Sequence, residues 1–375
     1  MARTSSRRST GARGQAATPG AAPLVRDFGR PAVSVPIVWD CRTVFDFVLS
    51  LSGDAGSTED LPAADRRWLE QSRGWLREQV GAKKLEPFFH EIPIGLVGLV
   101  IDRPDVTDAA GFVRAVDAAN IPTLFRVMLG EELRPGGKDR ETALRALEGD
   151  QGAIDELAAK SAEHHPPDKR DEVEKQLRDP TALIEPAREV LRTWLGHFVE
   201  VEERVRAMLG RDVELRAEER ATLGPVELIE RTTNGVRWLS EAGVARIILA
   251  PSYFSRPYNS LFAGEDWRMF CYPIADQALD SNDPLAPPPA VVRLHRALGD
   301  ETRLRILRLL RDSDRYLTEI AQALELSKPT VKHHLALLRS AGLVTVVDEG
   351  NYTYYSLRRD RLEQAGDELR LFLLA

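Results

Sequence analysis

A proline-rich segment divides this chain into two unequal parts. Residues 279–290 read LDSNDPLAPPPA, in which turn-forming residues lead into three consecutive prolines. Proline lacks a backbone N–H and cannot continue a helix, so this segment predicts a linker. The chain, at 375 residues, also exceeds the usual size of one domain. The sequence therefore predicts a larger domain at 31–278, the linker at 279–290 and a smaller domain at 291–375.

The ends of the chain differ in charge from its body. Residues 1–30 contain six arginines and one aspartate among Ser, Gly and Ala, without apolar periodicity, and predict a disordered basic tail. The whole chain has a net charge of −7, yet residues 288–375 carry 14 basic and 12 acidic side chains. The body is therefore acidic, and the C-terminal end is better suited to nucleic acid. The tail either grips phosphates or is dispensable.

Cysteine content and hydropathy bear on compartment. The two cysteines, Cys41 and Cys271, lie in no CxxC or Cys/His cluster, so we expect no disulfide scaffold, zinc site or cofactor. They are either buried inert thiols or a redox switch. The apolar stretch at 92–101 is about half the roughly 20 residues that a membrane helix needs. We expect a soluble, cytoplasmic protein.

The larger domain is predicted to be mainly helical with a small β-element. Apolar residues recur at three- and four-residue steps through 187–209, which indicates one long amphipathic helix. The segments 245–251 and 267–275 are rich in β-branched and aromatic residues and predict a strand pair joined by a long loop. Four aromatic residues near these strands either pack in the core or line a ligand pocket or interdomain contact: Tyr253, Phe254, Trp267 and Tyr272.

The smaller domain has the pattern of a winged helix-turn-helix. Its apolar spacing predicts four helices, at 289–298, 301–312, 316–324 and 328–341. The sequence then alternates in LVTVV and YTYYSL, which flank DEGN, a hairpin turn with Gly350 in the left-handed position. Helices followed by a hairpin form an α+β domain of this kind.

The pair His333–His334 lies in the last of these helices. Ser327 is placed to cap it, with Pro329 in the first turn. At 100° per residue, His334 falls on the inner face, packed with a local hydrogen bond, whereas His333 falls on the outer face. Adjacent helical residues point in different directions, so we do not expect them to share a metal ion.

Several motifs occur in order near the C-terminus: LGDETRLRILRLL, LTEIAQAL, LSKPTVKHHLALLRSAGLV and YYSL. With these motifs, the last 85 or so residues resemble the ArsR/SmtB family of bacterial transcriptional regulators. Upstream, RIILAPSYF and FCYPIA resemble the large N-terminal segments that precede ArsR-type domains in some bacterial regulators. No ligand class comes with that second similarity.

The resemblance implies a homodimeric repressor that binds a roughly palindromic operator in double-stranded DNA. The expected DNA-binding residues are Ser327, Lys328, Thr330, Lys332 and His333 in the recognition helix, with Asn351 and Tyr352 in the wing. The wing departs from the family, because Asp348 and Glu349 stand where basic residues are common. The expected dimerisation residues are Leu362, Ala365, Leu369 and Phe372 in the last helix, against the helix at 289–298.

The signal that controls DNA binding is left open by the sequence. The helix YLTEIAQAL has no cysteine and the last helix has no histidine, so the family's familiar metal sites are not carried over. The larger domain is instead expected to respond to a small molecule or to a protein partner. Enzymatic activity there is the alternative, but His90, with Glu86 and Glu91 nearby, is more typical of a structural histidine, and no phosphate-loop or hydrolase motif occurs.

Overall fold

The computed structural model describes residues 35–52, 60–85, 95–163, 170–279, 285–349 and 352–374. The predicted basic tail, His90, Gly350 and Asn351 lie outside these ranges. The chain is mainly α-helical with two small sheets and a C-terminal winged helix-turn-helix, which confirms the predicted fold class. We call residues 35–279 the N-terminal part and residues 285–374 the C-terminal part.

The elements follow one another along the chain as helices interrupted by short strands. In the N-terminal part the helices are α1 (Val44–Leu51), α2 (Ala63–Val80), α3 (Ala82–Leu85), α4 (Ala109–Ala118), α5 (Ile121–Met128), α6 (Arg140–Leu147), α7 (Gln151–Ala162), α8 (Arg170–Leu177), α9 (Pro180–Leu215), α10 (Ala217–Thr222) and α11 (Pro225–Thr232). Its strands are β1 (Ile37–Trp39), β2 (Val236–Arg237), β3 (Arg246–Ser252), β4 (Ser260–Ala263) and β5 (Trp267–Pro273). The C-terminal part has α12 (Pro289–Leu298), α13 (Glu301–Leu310), β6 (Arg315–Tyr316), α14 (Leu317–Leu324), α15 (Lys328–Ser340), β7 (Val344–Glu349), β8 (Tyr352–Leu357) and α16 (Arg359–Leu374).

The first sheet has the order β1-β3-β5-β4 and lies inside the N-terminal part. β1, β3 and β5 are parallel, whereas β4 pairs antiparallel with β5. Successive side chains of a strand point to opposite faces. Ile248 and Met269 accordingly enter the large core that contains α1, α2, α4 and α9, and Ile247 and Phe270 enter a smaller core with α11. The sheet is covered on both faces, which explains why its central strands read as continuous apolar runs.

The helix predicted at 187–209 is longer in the structure and forms the spine of the N-terminal part. Asp179 caps α9 by accepting hydrogen bonds of 3.1 Å from the amides of Thr181 and Ala182. Pro180 occupies the first turn, where its missing N–H has no intrahelical partner to lose. The buried stripe continues through Trp194, whose indole N–H donates to Ser50 Oγ at 2.9 Å. α9 therefore fixes α1, α2 and α4 around the sheet.

Both predicted strands are present and pair with one another. The predicted loop between them contains β4, which the sequence pattern did not indicate. The four aromatic residues proposed as core or pocket are all buried, and Tyr253 and Tyr272 are fully so. Cys271 is buried as well, and burial raises the pKa of its thiol. Cys41, by contrast, is exposed, so the expectation of a buried thiol is wrong at that position.

The second sheet joins the two parts of the chain. Its order is β2-β7-β8-β6, so a strand of the N-terminal part pairs with the wing hairpin. β2 runs parallel to β7, with Val236 opposite Val346 and Arg237 opposite Val347. Among the described residues the apolar cores are separate, because the core of the C-terminal part begins at Leu294 and includes no described residue of the N-terminal part. The linker at 279–290 stays a prediction, since part of it lies outside the described ranges.

Candidate nucleic-acid interface

Helices α14 and α15 form a helix-turn-helix on the surface of the C-terminal part. Val331, Leu335 and Leu338 of α15 are buried, and they share a core with Ile320 and Leu324 of α14. These positions recur at three- and four-residue steps, which fixes one face of α15 inward. The opposite face of α15 is therefore held toward solvent by a rigid support.

The turn between the two helices is set by three residues. Glu325 ends α14 with φ +56° and ψ +38°, the left-handed conformation that non-glycine residues seldom adopt. Ser327 then caps α15, since its Oγ accepts a hydrogen bond of 3.3 Å from the amide of Thr330. The Ser327 and Thr330 hydroxyls are themselves 2.7 Å apart. These local bonds position the first turn of α15.

All five residues expected to read DNA from this helix are exposed. They lie in its cap and first two turns: Ser327, Lys328, Thr330, Lys332 and His333. The two lysines add positive charge at a helix N-terminus, where the unpaired backbone N–H groups also favour anions. Hydroxyl, ammonium and imidazole groups can bond to phosphate oxygens or to base edges. The surface has the chemistry of a recognition helix.

The histidine pair is split between surface and interior. His333 is exposed, whereas His334 is half-buried. The local hydrogen bond expected for His334 is not formed at Nδ1, which lies 3.8 Å from Asp300 Oδ1 and bonds to no group in the described part of the chain. Within the described ranges, no three His, Cys, Asp or Glu side chains are grouped so that they could hold a metal ion.

The helices that precede α14 are tied together by the LGDETR segment. Asp300 caps α13 by accepting a 2.9 Å hydrogen bond from the amide of Arg303. The Arg303 guanidinium is buried and donates to the carbonyl oxygens of Ala297 and Arg296, at 2.8 and 2.7 Å. It thereby satisfies carbonyls that α12 leaves unpaired at its C-terminus. The motif is explained by helix capping, and none of these bonds requires a ligand.

The wing differs from a free hairpin because one edge is occupied. The amide of Val346 in β7 donates to the carbonyl oxygen of Gly235 at 2.8 Å, beside β2. Asn351 is outside the described ranges, and Tyr352 begins β8. The DNA contacts expected of Asn351 and Tyr352, at the turn of the wing hairpin, therefore stay a prediction.

The expected dimerisation residues are buried within the protomer to different extents. Ala365 is buried in the core of the C-terminal part, and Leu362 packs against that core. Leu369 and Phe372 are half-buried. The most exposed apolar side chains of α16 are instead Leu371, Leu373 and Leu374.

A largely buried ion cluster fastens α12 to the N-terminal part, and the sequence pattern gave no sign of it. Arg293 donates to Asp60 Oδ1 at 2.6 Å and lies 3.4 Å from Asp276 Oδ1. Arg256, 1% exposed, lies 3.1 Å from Asp60 Oδ2 and 2.5 Å from Asp276 Oδ1. Burial raises the pKa of Asp276, but attraction to Arg293 and Arg256 outweighs burial, so that pKa is below its usual value. Asp276 is therefore held as a carboxylate beside the two arginines.

Comparison with known proteins places the resemblance in the C-terminal part. A family model described as "Bacterial regulatory protein, arsR family" matches residues 300–346. The HTH-type transcriptional regulator CmtR of Mycobacterium tuberculosis is 42% identical over 86 residues, which cover 23% of this chain and 73% of CmtR. The transcriptional repressor SdpR of Bacillus subtilis is 36% identical over 70 residues, which cover 19% of this chain and 78% of SdpR.

A solved structure of reduced HlyU from Vibrio cholerae is 33% identical and covers 22% of this chain and 90% of its own, with a TM-score of 0.19. No described helix is long and apolar enough to cross a membrane. The same conclusion follows from the motifs that occur in sequence order, from the exposed helix α15 and from the sequence identity with CmtR. The chain belongs to the arsR family of bacterial regulatory proteins.

Proposed function

We propose that the protein is a cytoplasmic, sequence-specific repressor that binds double-stranded DNA through α15. One observation carries the proposal: Lys328, Thr330, Lys332 and His333 are all exposed on a helix whose other face is fixed in a core. Thr330 and His333 suit base edges, and the lysines suit phosphates or guanine. The name of SdpR, a transcriptional repressor, supports repression as the direction of control.

The test is selection of DNA from a random library by the full chain, followed by binding of the enriched site at two salt concentrations. We expect a roughly palindromic site. The Lys328→Ala/His333→Ala double variant should lose discrimination against a mismatched site, by about 1–3 kcal/mol per base contact.

Lys138→Ala is the matched control, because Lys138 is exposed and lies in the N-terminal part. It should bind the enriched site as the wild type does. Equal discrimination by wild type and double variant would mean that α15 is not the reader, and failure to enrich any site would remove the proposed function.

The DNA-binding unit is proposed to be a homodimer formed through α12 and α16. Support comes from the exposed apolar side chains on both helices, Val292 on α12 and Leu373 on α16 among them. Two copies would place two recognition helices on half-sites about one helical turn apart. Sedimentation equilibrium should give a dimer for the wild type and a monomer for Leu373→Asp. Leu261→Asp, at an exposed position in β4, should leave the dimer intact.

The N-terminal part is proposed to be the sensing part, without enzymatic activity. Its contacts with the C-terminal part include the β2–β7 pairing and the ion cluster around Arg293. A signal that alters the N-terminal part can therefore reach α12 and the wing directly. Thermal-shift screening against metabolites and capture of a protein partner from extract separate the two kinds of signal.

A further inference from the structure

A cleft of about 450 Å³ lies where the N-terminal and C-terminal parts meet. Arg231, Thr232 and Asn234 line it from the N-terminal part, at and just after the end of α11. From the C-terminal part, α12, the C-terminal end of α15 and α16 contribute Val291, Ser340 and Phe372. Neither part alone encloses the space.

Two polar groups in the lining of the cleft, from Thr232 and Arg231, are only partly used by the fold. Thr232 is 2% exposed, and its Oγ1 forms no hydrogen bond with any described residue. A buried hydroxyl without a partner costs free energy, which a ligand atom would recover. The Arg231 side chain is 58% exposed, and its Nε lies 4.0 Å from the Glu219 carboxylate, beyond hydrogen-bond length. Arg231 therefore retains donors for an anion.

The other arginines of the cleft are already neutralised. Arg256 and Arg293 are held by Asp60 and Asp276, as described above. Arg216 contacts Asp212 at 3.0 Å. Arg231 is thus the guanidinium best placed to bind a negative group from solution.

The lining of the cleft also contains apolar side chains, beside polar ones such as Glu368 and Ser340. Val291, Pro288 and Phe372 line it, together with Leu371, which is 71% exposed. Such a surface gains free energy when a hydrocarbon or aromatic body covers it. The volume suits a small organic molecule.

We propose that this cleft binds an amphiphilic organic anion. Its anionic group bonds to Arg231 and to the Thr232 hydroxyl, and its apolar body packs on Val291, Leu371 and Phe372. The ligand is the effector of the regulator, a role that rests on the proposed function, although the binding itself does not.

The cleft is also placed to influence α15. The Ser340 carbonyl at the end of α15 accepts a 3.4 Å hydrogen bond from the Asn234 side chain, and both residues line the cleft. A ligand seated there contacts the N-terminal part, α12 and α16 at once, beside the end of α15. The affinity for the ligand then depends on the relative position of the two parts. If the ligand changes the affinity for DNA by some factor, DNA changes the affinity for the ligand by the same factor.

The first experiment measures binding to the full chain without DNA. The fluorescent anion 1-anilinonaphthalene-8-sulfonate is the probe, and decanoate and decylammonium are competitors with ten carbon atoms each and opposite charges. We expect decanoate to displace the probe at concentrations at which decylammonium does not. Arg231→Gln should weaken decanoate binding roughly tenfold, whereas Arg231→Lys, which keeps the charge, should weaken it less.

Two controls make the result specific to the cleft. Arg126→Gln changes a half-exposed arginine that pairs with Glu265 and does not line the cleft, and it should bind decanoate as the wild type does. Phe372→Ala should weaken the binding of decanoate, but the variant should still prefer decanoate to decylammonium. Equal displacement by both competitors, or unchanged binding by Arg231→Gln, would overturn the site.

The second experiment measures affinity for the selected DNA with and without decanoate. A change in wild-type affinity that is absent in Arg231→Gln supports the effector role, and an unchanged affinity overturns that role. Failure to select any DNA, with decanoate still bound, would instead count against the proposed function and leave the site standing.

Discussion

Arg358 Nη1 donates a 3.0 Å hydrogen bond to Asn234 Oδ1, and this bond connects the end of the wing to the N-terminal part. Asn234 adopts φ +54°, a left-handed conformation that Asn tolerates better than most residues. It also faces Gly342, where a Cβ atom would come within 2.7 Å of Asn234 Oδ1. Gly342, at φ +72°, is required both by that close approach and by its backbone conformation. The junction thus depends on matched residues in both parts.

Replacing Asn234 should loosen this junction. Asn234→Gly keeps the left-handed backbone but loses the side-chain bonds, which should lower the free energy of unfolding by about 1 kcal/mol. Asn234→Ala also adds backbone strain and should lose about 1 kcal/mol more. Hydrogen exchange should be faster at the Val346 amide, which pairs with Gly235, than in wild type. The amides between β7 and β8 are the internal control, and equal acceleration there would argue against local loosening.

Removing Arg293 should destabilise the chain much more than removing a surface arginine. Arg293→Ala leaves the largely buried carboxylates of Asp60 and Asp276 with one cation fewer, at an expected cost of about 2–3 kcal/mol. Arg126→Ala, in an exposed pair, should cost less than about 1 kcal/mol. Urea unfolding measures both. In the Arg293→Ala/Asp60→Asn double variant the loss should be smaller than the sum of the single losses, and strict additivity would contradict the coupling.

Stability should depend on pH through Asp46. Burial raises the pKa of Asp46 to about 6 from 3.8, although Ser252 Oγ and the amides of Phe254 and Tyr253 donate hydrogen bonds to it. Because the folded-state pKa is raised, the contribution of Asp46 to stability is largest below pH 4 and is lost as the pH rises through 6.

Asp46→Asn removes this titration and provides the comparison. Between pH 5 and 7.5, the free energy of unfolding of the wild type should fall by about 1 kcal/mol relative to that of the variant. Urea unfolding at both pH values measures the difference. A difference that is constant with pH, or that grows in favour of the wild type, would refute the raised pKa.

The turn of the helix-turn-helix carries strain that one substitution should relieve. Glu325 is left-handed at φ +56°, and glycine adopts that conformation without a Cβ penalty. Glu325→Gly should therefore raise the free energy of unfolding by about 0.5–1 kcal/mol. Glu325→Ala keeps the strain and is the control for loss of the carboxylate. An equal gain from both variants would assign the effect to charge instead.

Helix α15, the second helix of the helix-turn-helix, could be predicted from sequence because its signals are local. Ser327, Pro329 and the spacing of Val331, Leu335 and Leu338 lie within one helix, where capping and periodicity are sufficient. The strands β3 and β5 were predictable for a similar reason, since runs of β-branched and aromatic residues mark them. Their parallel pairing, and the presence of β1 beside them, depend on contacts between distant segments.

The junction between the two parts and the ion pairs of the buried arginines could not be predicted from the sequence. Arg256 and Arg268 are almost fully buried, although arginine is usually at the surface. Only the three-dimensional arrangement brings Asp60, Asp276 and Glu241 to neutralise them. One local signal was present: Asn234–Gly235 is a dipeptide typical of tight turns, and β2 follows it directly. The two residues of β2 do not indicate that this strand pairs with β7 at Val346.

The pairing of β2 with β7 has a consequence for how this protein can be divided. An unpaired strand edge is a template for another chain, and β2 shields that of β7. On the far side, β6 presents only two residues. A fragment beginning at Pro289 would expose the edge of β7 that pairs with β2, and Arg293 would lose its acidic partners. Such fragments should associate with one another through the edges of their hairpins. The isolated C-terminal part would therefore not behave as it does in the intact chain.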